Sequence, residues 1–249
     1  MIPKVIHYCW FGRNPLPKLA IKCIESWKKY MPDYEIKEWN EDNFNVNLIP
    51  YTQQAYAAKK YAYVSDYARL WILYHYGGIY LDTDVEVLKS LTPIIERGPY
   101  LGCENQIDES HARLQVNSGL GMASDKNNPL VKNMMELYHG KEFVLKENNS
   151  VVTIVSIISD MLYKRGLKSI NEIQLVDSFY IYPAEYFASR RIAEYTIPRT
   201  DNSYSIHHYM GSWESPYIKL KNNISKVLGH RLTRVMVKAK RKTLTFFKK

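Results

Sequence analysis

The chain has 249 residues, a length that suits one large domain with a substantial core. Three cysteines without a C-x-x-C pair argue against a disulfide framework and favour a reducing compartment. Of the 34 Lys and Arg residues, 11 lie in residues 215–249, which contain no Asp or Glu, so residues 1–214 carry 23 basic and 25 acidic side chains. Neither a transmembrane span nor a signal peptide is expected, because no apolar run approaches about 20 residues and the first residues already read as a strand.

Short apolar strands alternate with amphipathic helices along the chain. The sequence predicts strands over 5–11, 34–39, 79–81, 100–104, 116–122, 180–182 and 204–208, and helices over 18–30, 52–63, 65–76, 151–164 and from Asn128-Pro129 onward. This alternation predicts an α/β fold with a mainly parallel central sheet flanked by helices. The composition changes only near Ser215, so we expect one domain over 1–215 and a separate segment over 216–249.

Residues 66–84 are the most informative stretch. A helical pattern ends at Gly77-Gly78, and a short apolar run then leads to Asp82 and Asp84. The two carboxylates share one side of an extended chain, at the strand end where open α/β sheets bind ligands. Such a pair suits a hard divalent cation, which commonly also binds a substrate diphosphate. Two acids in a solvated turn are the alternative; the preceding helix and glycines favour the metal site.

Three segments resemble one family in the same order. Residues 65–69 (SDYAR) with 80–84 (YLDTD) resemble the core of the DXD-containing sugar transferases of glycosyltransferase family 32. That family includes yeast initiating mannosyltransferases and bacterial capsule transferases, and it is similar to the catalytic domain of the large clostridial glucosylating toxins. Residues 2–12 (IPKVIHYCWFG) resemble its first strand and turn, and residues 207–213 (HHYMGSW) its closing motif. The resemblance covers residues 1 to about 215 and implies a GT-A, Rossmann-like fold.

The resemblance also implies roles at the donor end of a site. Trp10 would stack on the nucleotide base, and Gly12 would let the backbone approach the ligand closely. Asp66 would accept hydrogen bonds from the donor sugar, and the planar fork of Arg69 would contact the sugar or diphosphate. Without the resemblance, Trp10 would read as core, and Asp66 with Arg69 as a surface ion pair worth about 0.3–0.5 kcal/mol.

The same resemblance implies a metal centre of Asp82, Asp84 and His208. Asp84 would bind the cation directly, and Asp82 would act through water or the ribose. Mn²⁺ or Mg²⁺ suits oxygen ligands, and one imidazole favours Mn²⁺. We choose His208 over His207 because it precedes Gly211 by three residues, as a metal-binding histidine does in related retaining galactosyltransferases.

Three further residues are candidates for catalysis or donor binding. Ser212 and Trp213 resemble a flap that closes over the nucleoside diphosphate, with Trp213 reaching the glycosidic oxygen; packing of the C-terminal segment is the alternative. Asn117 is expected at a strand-to-turn junction. The resemblance implies an amide or carboxylate from a comparable strand near the reacting sugar carbon; a turn cap is the alternative. Residues 150–153 lack a Gly-Pro that many relatives carry, so acceptor contacts are not predicted there.

The C-terminal segment has apolar residues at helical spacing among Lys and Arg, at positions 220, 224, 227, 228, 232 and 235. A basic amphipathic helix is typical of binding to an anionic membrane surface. The alternatives are a helix packed on the protein and a nucleic-acid arm, which nothing in residues 1–214 supports. We therefore expect no nucleic-acid partner, and a cytoplasmic location on the inner face of the cell membrane.

These patterns together predict a metal-dependent retaining glycosyltransferase. It would move a hexose from a nucleotide sugar, with UDP favoured, to a hydroxyl of a lipid-linked oligosaccharide in capsule, O-antigen or exopolysaccharide synthesis. Retention is implied by the family alone, and a covalent or a same-face displacement both stay open. The alternatives are a GDP-mannose-dependent mannosyltransferase, a toxin-like enzyme that glycosylates protein, and a non-catalytic nucleotide-sugar or membrane-binding protein. The intact Asp82, Asp84 and Arg69 count against the last of these.

Overall fold

A computed structural model describes residues 1–144, 153–188, 190–192 and 195–210. Its strands are β1 (Val5–Cys9), β2 (Glu35–Trp39), β3 (Gly78–Tyr80), β4 (Val85–Val87), β5 (Tyr100–Cys103), β6 (Val116–Ser124), β7 (Gln174–Val176), β8 (Phe179–Tyr182), β9 (Arg190–Ile192), β10 (Tyr195–Ile197) and β11 (Ser205–His207). Its helices are α1 (Lys18–Tyr30), α2 (Pro50–Ala57), α3 (Tyr61–Tyr76), α4 (Thr92–Ile95), α5 (Pro129–Glu136), α6 (Ile154–Lys164) and α7 (Ala184–Phe187).

The central sheet has seven strands in the order β2-β1-β3-β6-β5-β8-β7. Five of them, β2, β1, β3, β5 and β8, point the same way, whereas β6 and β7 run antiparallel to their neighbours. Helix α3 packs against β1, β3 and β6, and α6 packs against β6. The predicted α/β class, with a mainly parallel sheet flanked by helices, is confirmed in this architecture.

A separate two-stranded ribbon carries part of the site. Strand β4 follows β3 almost at once and pairs antiparallel with β11, with Val85 opposite His207. Helix α1 packs on β4, and the fully buried Trp27 donates its indole N–H to the carbonyl of Val85 at 2.7 Å. The ribbon therefore brings residues more than 120 positions apart in sequence to one place.

The glycine pair after α3 behaves as the sequence predicts. Gly77 and Gly78 have φ of 66° and 100°, backbone conformations that favour glycine. A Cβ on Gly77 would lie 2.8 Å from the Lys126 nitrogen, and one on Gly78 would lie 2.7 Å from the Val5 carbonyl. The helix can therefore stop and the chain can turn directly into β3 beside β1.

Several predicted boundaries shift in the structure. The first of the adjacent predicted helices ends at Ala57, and the second begins four residues later, with Lys59 at φ 56° between them. Strand β4 was not predicted, because three residues are too short for a periodic pattern to identify. Among the described residues, no helix is long and apolar enough to cross a bilayer. Residues 216–249 lie outside the described part of the chain.

His7 lies inside the sheet with both ring nitrogens engaged. Nε2 lies 2.9 Å from the Gly77 carbonyl, and Nδ1 lies 3.1 Å from the indole nitrogen of Trp39, which can only donate. The imidazole is thus neutral, with its proton on Nε2. Burial lowers the pKa of His7 to about 4, against a usual value of 6.5. His7 is a core residue of this sheet.

This arrangement makes stability depend on pH. Because the folded-state pKa lies below the unfolded value, the unfolded chain takes up the proton first as the pH falls from 6.5 towards 4. The contribution of His7 should then lower the unfolding free energy by up to about 1.4 kcal/mol for each pH unit between pH 6.5 and 4. Urea unfolding at several pH values should show a shallower decline for His7→Gln than for the wild-type chain. Parallel declines in the two proteins would contradict this assignment.

Candidate active site

Two carboxylates stand at the carboxyl edge of the sheet, directly after β3. The Asp82 amide donates to the Gly119 carbonyl of β6 at 3.2 Å, which anchors the chain where it leaves the sheet. A Cβ on Gly119 would overlap the Asp82 carboxylate, so only glycine leaves room for that side chain. Asp84, two residues on, is 7% exposed.

Asp82, Asp84 and His207 form one group, with a potential ligand atom from each within 4.8 Å of the other two. His207 Nε2 lies 3.0 Å from Asp84 Oδ1, and the Met210 amide donates to Asp84 Oδ2 at 2.7 Å. His207 Nδ1 is buried and has no hydrogen-bond partner among the residues that the structure describes. Two carboxylates and one imidazole match the oxygen and nitrogen donors that Mn²⁺ accepts.

The prediction that His208 faces the aspartates is wrong. His208 Nε2 lies 2.8 Å from Glu86 Oε2, which also receives the Lys22 ammonium at 2.8 Å. In the β4–β11 ribbon, alternate residues face opposite sides, so His207 meets Asp84 while His208 meets Glu86. The spacing to Gly211 carried no information about this register.

Arg69 is buried on α3 and ties the acidic groups together. Its Nη2 lies 3.1 Å from Asp66 Oδ1 and 3.0 Å from Asp82 Oδ1. Nη1 donates to Ser118 Oγ at 3.2 Å, and Nε donates to the Ser65 carbonyl at 3.2 Å. Asp66 and Arg69 do share a helix face, but their side chains are only 14% and 5% exposed, so this is no surface pair.

The pKa values of the three carboxylates are shifted in different directions. Burial raises the pKa of Asp66 to about 6, although Arg69 opposes this. Burial likewise raises the pKa of Asp82 against the pull of Arg69. Burial also tends to raise the pKa of Asp84, but His207 and the Met210 amide hold that pKa below its usual value. Asp84 is therefore the acid best kept as a carboxylate, which is the form that binds a cation.

Trp10 and Gly12 follow β1 at one end of the site. The half-buried Trp10 lines the cavity and donates its indole N–H to the Asn14 carbonyl at 2.5 Å. Gly12 has φ 95°, and the ring of Tyr61 fills the space that a Cβ would need. Its amide donates to Glu41 Oε1 at 2.6 Å. Both the backbone conformation and the nearby Tyr61 ring therefore favour glycine at this position.

Asn117 lies inside β6, not at a strand-to-turn junction as predicted. Its Oδ1 accepts from the Gly119 amide at 2.7 Å, and its Nδ2 donates to Glu104 Oε2 at 2.7 Å. Both ends of the carboxamide are therefore fixed while the residue lines the cavity. Glu104 was missed because nothing in its local sequence marks it. Ser212 and Trp213 lie outside the described residues.

One cavity of about 640 Å³ joins these groups. Trp10, Asp66, Arg69, Asp82, Asp84 and His207 line one part of it, together with Tyr63 and Met210. Its volume is typical of a small-molecule site. The described lining also includes side chains of α6 and of the residues before β6, for which the sequence offered no prediction.

Comparison with known proteins finds similarity over parts of this chain. Residues 17–101 match the family model described as the glycosyltransferase sugar-binding region containing the DXD motif. Inositol phosphoceramide mannosyltransferase 3 of Schizosaccharomyces pombe is 35% identical over 98 residues, which cover 38% of this chain and 27% of that protein. An uncharacterized glycosyltransferase of Acanthamoeba polyphaga mimivirus is 28% identical over 232 residues, which cover 88% of this chain and 86% of that protein.

Bacterial toxins and solved structures are also similar. Toxin Afp18 of Yersinia ruckeri is 35% identical over 104 residues, which cover 39% of this chain and 5% of the toxin. The solved PaToxG glycosyltransferase is 21% identical with a TM-score of 0.49, covering 66% of this chain and 69% of that one. The predicted enzyme class is confirmed by the sequence matches: the chain carries a glycosyltransferase domain. That domain includes the DXD sugar-binding region, although the chain spans only about a quarter of the first yeast relative.

Proposed function

We propose that the chain is a metal-dependent retaining glycosyltransferase of the family 32 type, which moves a hexose from a nucleotide sugar to a hydroxyl group. The observation that carries this proposal is the convergence of Asp82, Asp84 and His207 inside a cavity of about 640 Å³. These residues would hold Mn²⁺ or Mg²⁺. The bound cation would supply positive charge for the departing diphosphate.

The protein groups around the metal ligands would have separate tasks. Arg69 fixes Asp82 and Asp66 relative to each other through contacts of 3.0 and 3.1 Å. Asp66 would accept hydrogen bonds from hydroxyls of the donor sugar. Asn117, whose amide is held at both ends, would face the reacting sugar. Retention and the choice between covalent and same-face displacement rest on the family resemblance.

The donor is proposed to be a UDP-hexose. The bacterial members of the resembled family support uridine, whereas the mannosyltransferases among the relatives support GDP-mannose as a second candidate. A screen of nucleotide sugars with Mn²⁺, read as nucleoside diphosphate release, tests the proposal. Release from none of them would overturn it, and release from GDP-mannose alone would select the second candidate.

Trp10 provides a specific test of the donor end. If its indole stacks on the base, Trp10→Ala should weaken UDP binding by about 1–3 kcal/mol, the usual contribution of one base–aromatic stack. Calorimetric titration with UDP and Mn²⁺ measures this. Trp10→Phe keeps an aromatic face and should retain most of the affinity. Unchanged affinity in Trp10→Ala would assign this side chain to packing alone.

The acceptor is proposed to be a lipid-linked oligosaccharide, reached from the cytoplasmic side of a membrane. The basic residues of 216–249 support this location, since each positive charge near an anionic surface adds about 1 kcal/mol of binding. In this arrangement residues 1–215 form the catalytic domain and 216–249 the membrane anchor.

Removing residues 219–249 should separate these two roles. The truncated chain should stay folded and keep its turnover on a short soluble acceptor, because the three recognised motifs end at Trp213. Its binding to anionic liposomes should fall sharply. In the intact chain salt should also weaken that binding, since charges are screened within about 10 Å at 0.1 M. Equal liposome binding by both chains would rule out the segment as the anchor, and unfolding on truncation would show that it belongs to the core.

A further inference from the structure

The cavity has a second wall whose side chains take no part in metal or donor binding as proposed. It is formed by the residues that lead into β6 and by the cavity-facing side of α6. Its exposed polar side chains are Arg113, Gln115, Thr153, Ser156 and Asp160. Glu104 lies between this wall and Asn117.

The two parts of this wall are joined by backbone-to-side-chain hydrogen bonds. The Val116 amide donates to Ser159 Oγ at 2.8 Å. The Leu114 amide donates to the Tyr163 hydroxyl, also at 2.8 Å. Because both acceptors belong to α6, the segment before β6 cannot move independently of the helix.

A buried asparagine holds the same segment from the other side. Asn105, which is 3% exposed, donates from Nδ2 to the Arg113 carbonyl at 2.8 Å. Its Oδ1 accepts from the Gln115 amide at 2.6 Å. Arg113 and Gln115 are therefore presented by a fixed backbone, so a ligand would meet a preorganised surface.

Arg113 and Asp160 form an ion pair across the wall. Arg113 Nη2 lies 2.9 Å from Asp160 Oδ1, and the guanidinium lies over the Tyr163 ring at 4.3 Å. The two side chains are 58% and 60% exposed, so a ligand can reach both. An exposed pair contributes little to stability. Side by side, however, it offers several N–H donors and a carboxylate acceptor, which is what neighbouring hydroxyls require.

The charge of the cavity limits what can bind there. The described lining contains five carboxylates but no lysine, and both of its guanidinium groups, those of Arg69 and Arg113, already face carboxylates. Among these residues, both guanidinium groups that could bind a phosphate are already paired with carboxylates, and the remaining carboxylates would repel it. A neutral ligand with several hydroxyls meets no such repulsion.

We infer that the second wall, with Arg113 and Asp160 at its centre, binds the acceptor through a neutral polyol ring, either a sugar or a cyclitol. This inference rests on the proposed function, because it is the acceptor hydroxyl that attacks the donor. The ring would hydrogen-bond to the ion pair, and Gln115 would supply a further donor and acceptor.

Saturation-transfer NMR on the full chain, with UDP and the diamagnetic cation Mg²⁺ added, tests this directly. The probes are methyl mannoside, methyl galactoside and myo-inositol, with mannose phosphate as an anionic counterpart. At least one neutral ring should bind, and Arg113→Gln and Asp160→Asn should each weaken it by about tenfold or more. The matched control is Arg165→Gln: Arg165 directly follows α6, forms a 3.1 Å ion pair with Asp177 and is absent from the described cavity lining, so its loss should change nothing.

The result for each probe decides the inference. Binding of the glycosides identifies a sugar acceptor, and binding of myo-inositol alone identifies a cyclitol. The inference is overturned if no neutral ring binds, if mannose phosphate binds more tightly than methyl mannoside, or if the Arg113 and Asp160 variants bind like the control. UDP affinity, measured in the same samples, separates the two proposals. If UDP does not bind but a neutral ring still does, the result counts against the proposed function and not against the inference about the second wall.

Discussion

Asp84→Asn should abolish metal binding and turnover while leaving the fold intact. Asp84 is the carboxylate of the proposed metal group whose pKa is held below its usual value, so it is ionised at neutral pH. The substitution keeps the shape of the side chain but removes the charge that binds a cation. We expect Mn²⁺ affinity to fall by more than the 10- to 100-fold that is typical for loss of an outer-shell partner. Turnover should fall by about 10³-fold or more, since a cation supplies several kcal/mol of charge stabilisation.

The two adjacent histidines provide a matched control for this prediction. His207→Ala removes a proposed ligand and should weaken Mn²⁺ binding, as measured by electron paramagnetic resonance. His208→Ala removes the contact with Glu86 but keeps Asp82, Asp84 and His207, so it should leave the affinity close to that of the wild-type chain. The opposite result would restore the assignment made from the sequence. Full activity in EDTA would exclude a metal altogether.

Arg69→Met should destabilise the protein and inactivate it together. The guanidinium faces Asp66 and Asp82 in a buried environment, so its loss leaves two carboxylates without compensation. Breaking a buried pair in this way costs about 3–5 kcal/mol of unfolding free energy. Urea denaturation measures the loss, and nucleoside diphosphate release measures the activity.

Two variants show whether charge is the cause. Arg113→Met removes an exposed arginine of the same cavity and should cost less than about 1 kcal/mol of stability. Arg69→Met combined with Asp66→Asn leaves one buried charge fewer and should recover part of the stability. If Arg69→Met lowers the unfolding free energy no more than Arg113→Met does, the contacts of Arg69 with Asp66 and Asp82 do not stabilise the fold.

The sequence by itself determined the features that depend on neighbouring residues. Helical spacing, the glycine pair and the short apolar run placed α3, β3, Asp82 and Asp84 in order, because each signal lies within about 20 residues. Alternation in an extended strand then placed the two carboxylates on one side. The family resemblance added the expectation that a third ligand comes from residues 207–208.

Only the tertiary structure decided the contacts between distant segments. The β4–β11 register selected His207 over His208, since a shift of one residue exchanges the two faces of a strand. Glu104 and Asn117 meet because β5 pairs with β6, and Arg113 meets Asp160 because α6 packs on β6. Such pairings depend on how strands and helices assemble, and no local spacing specifies them.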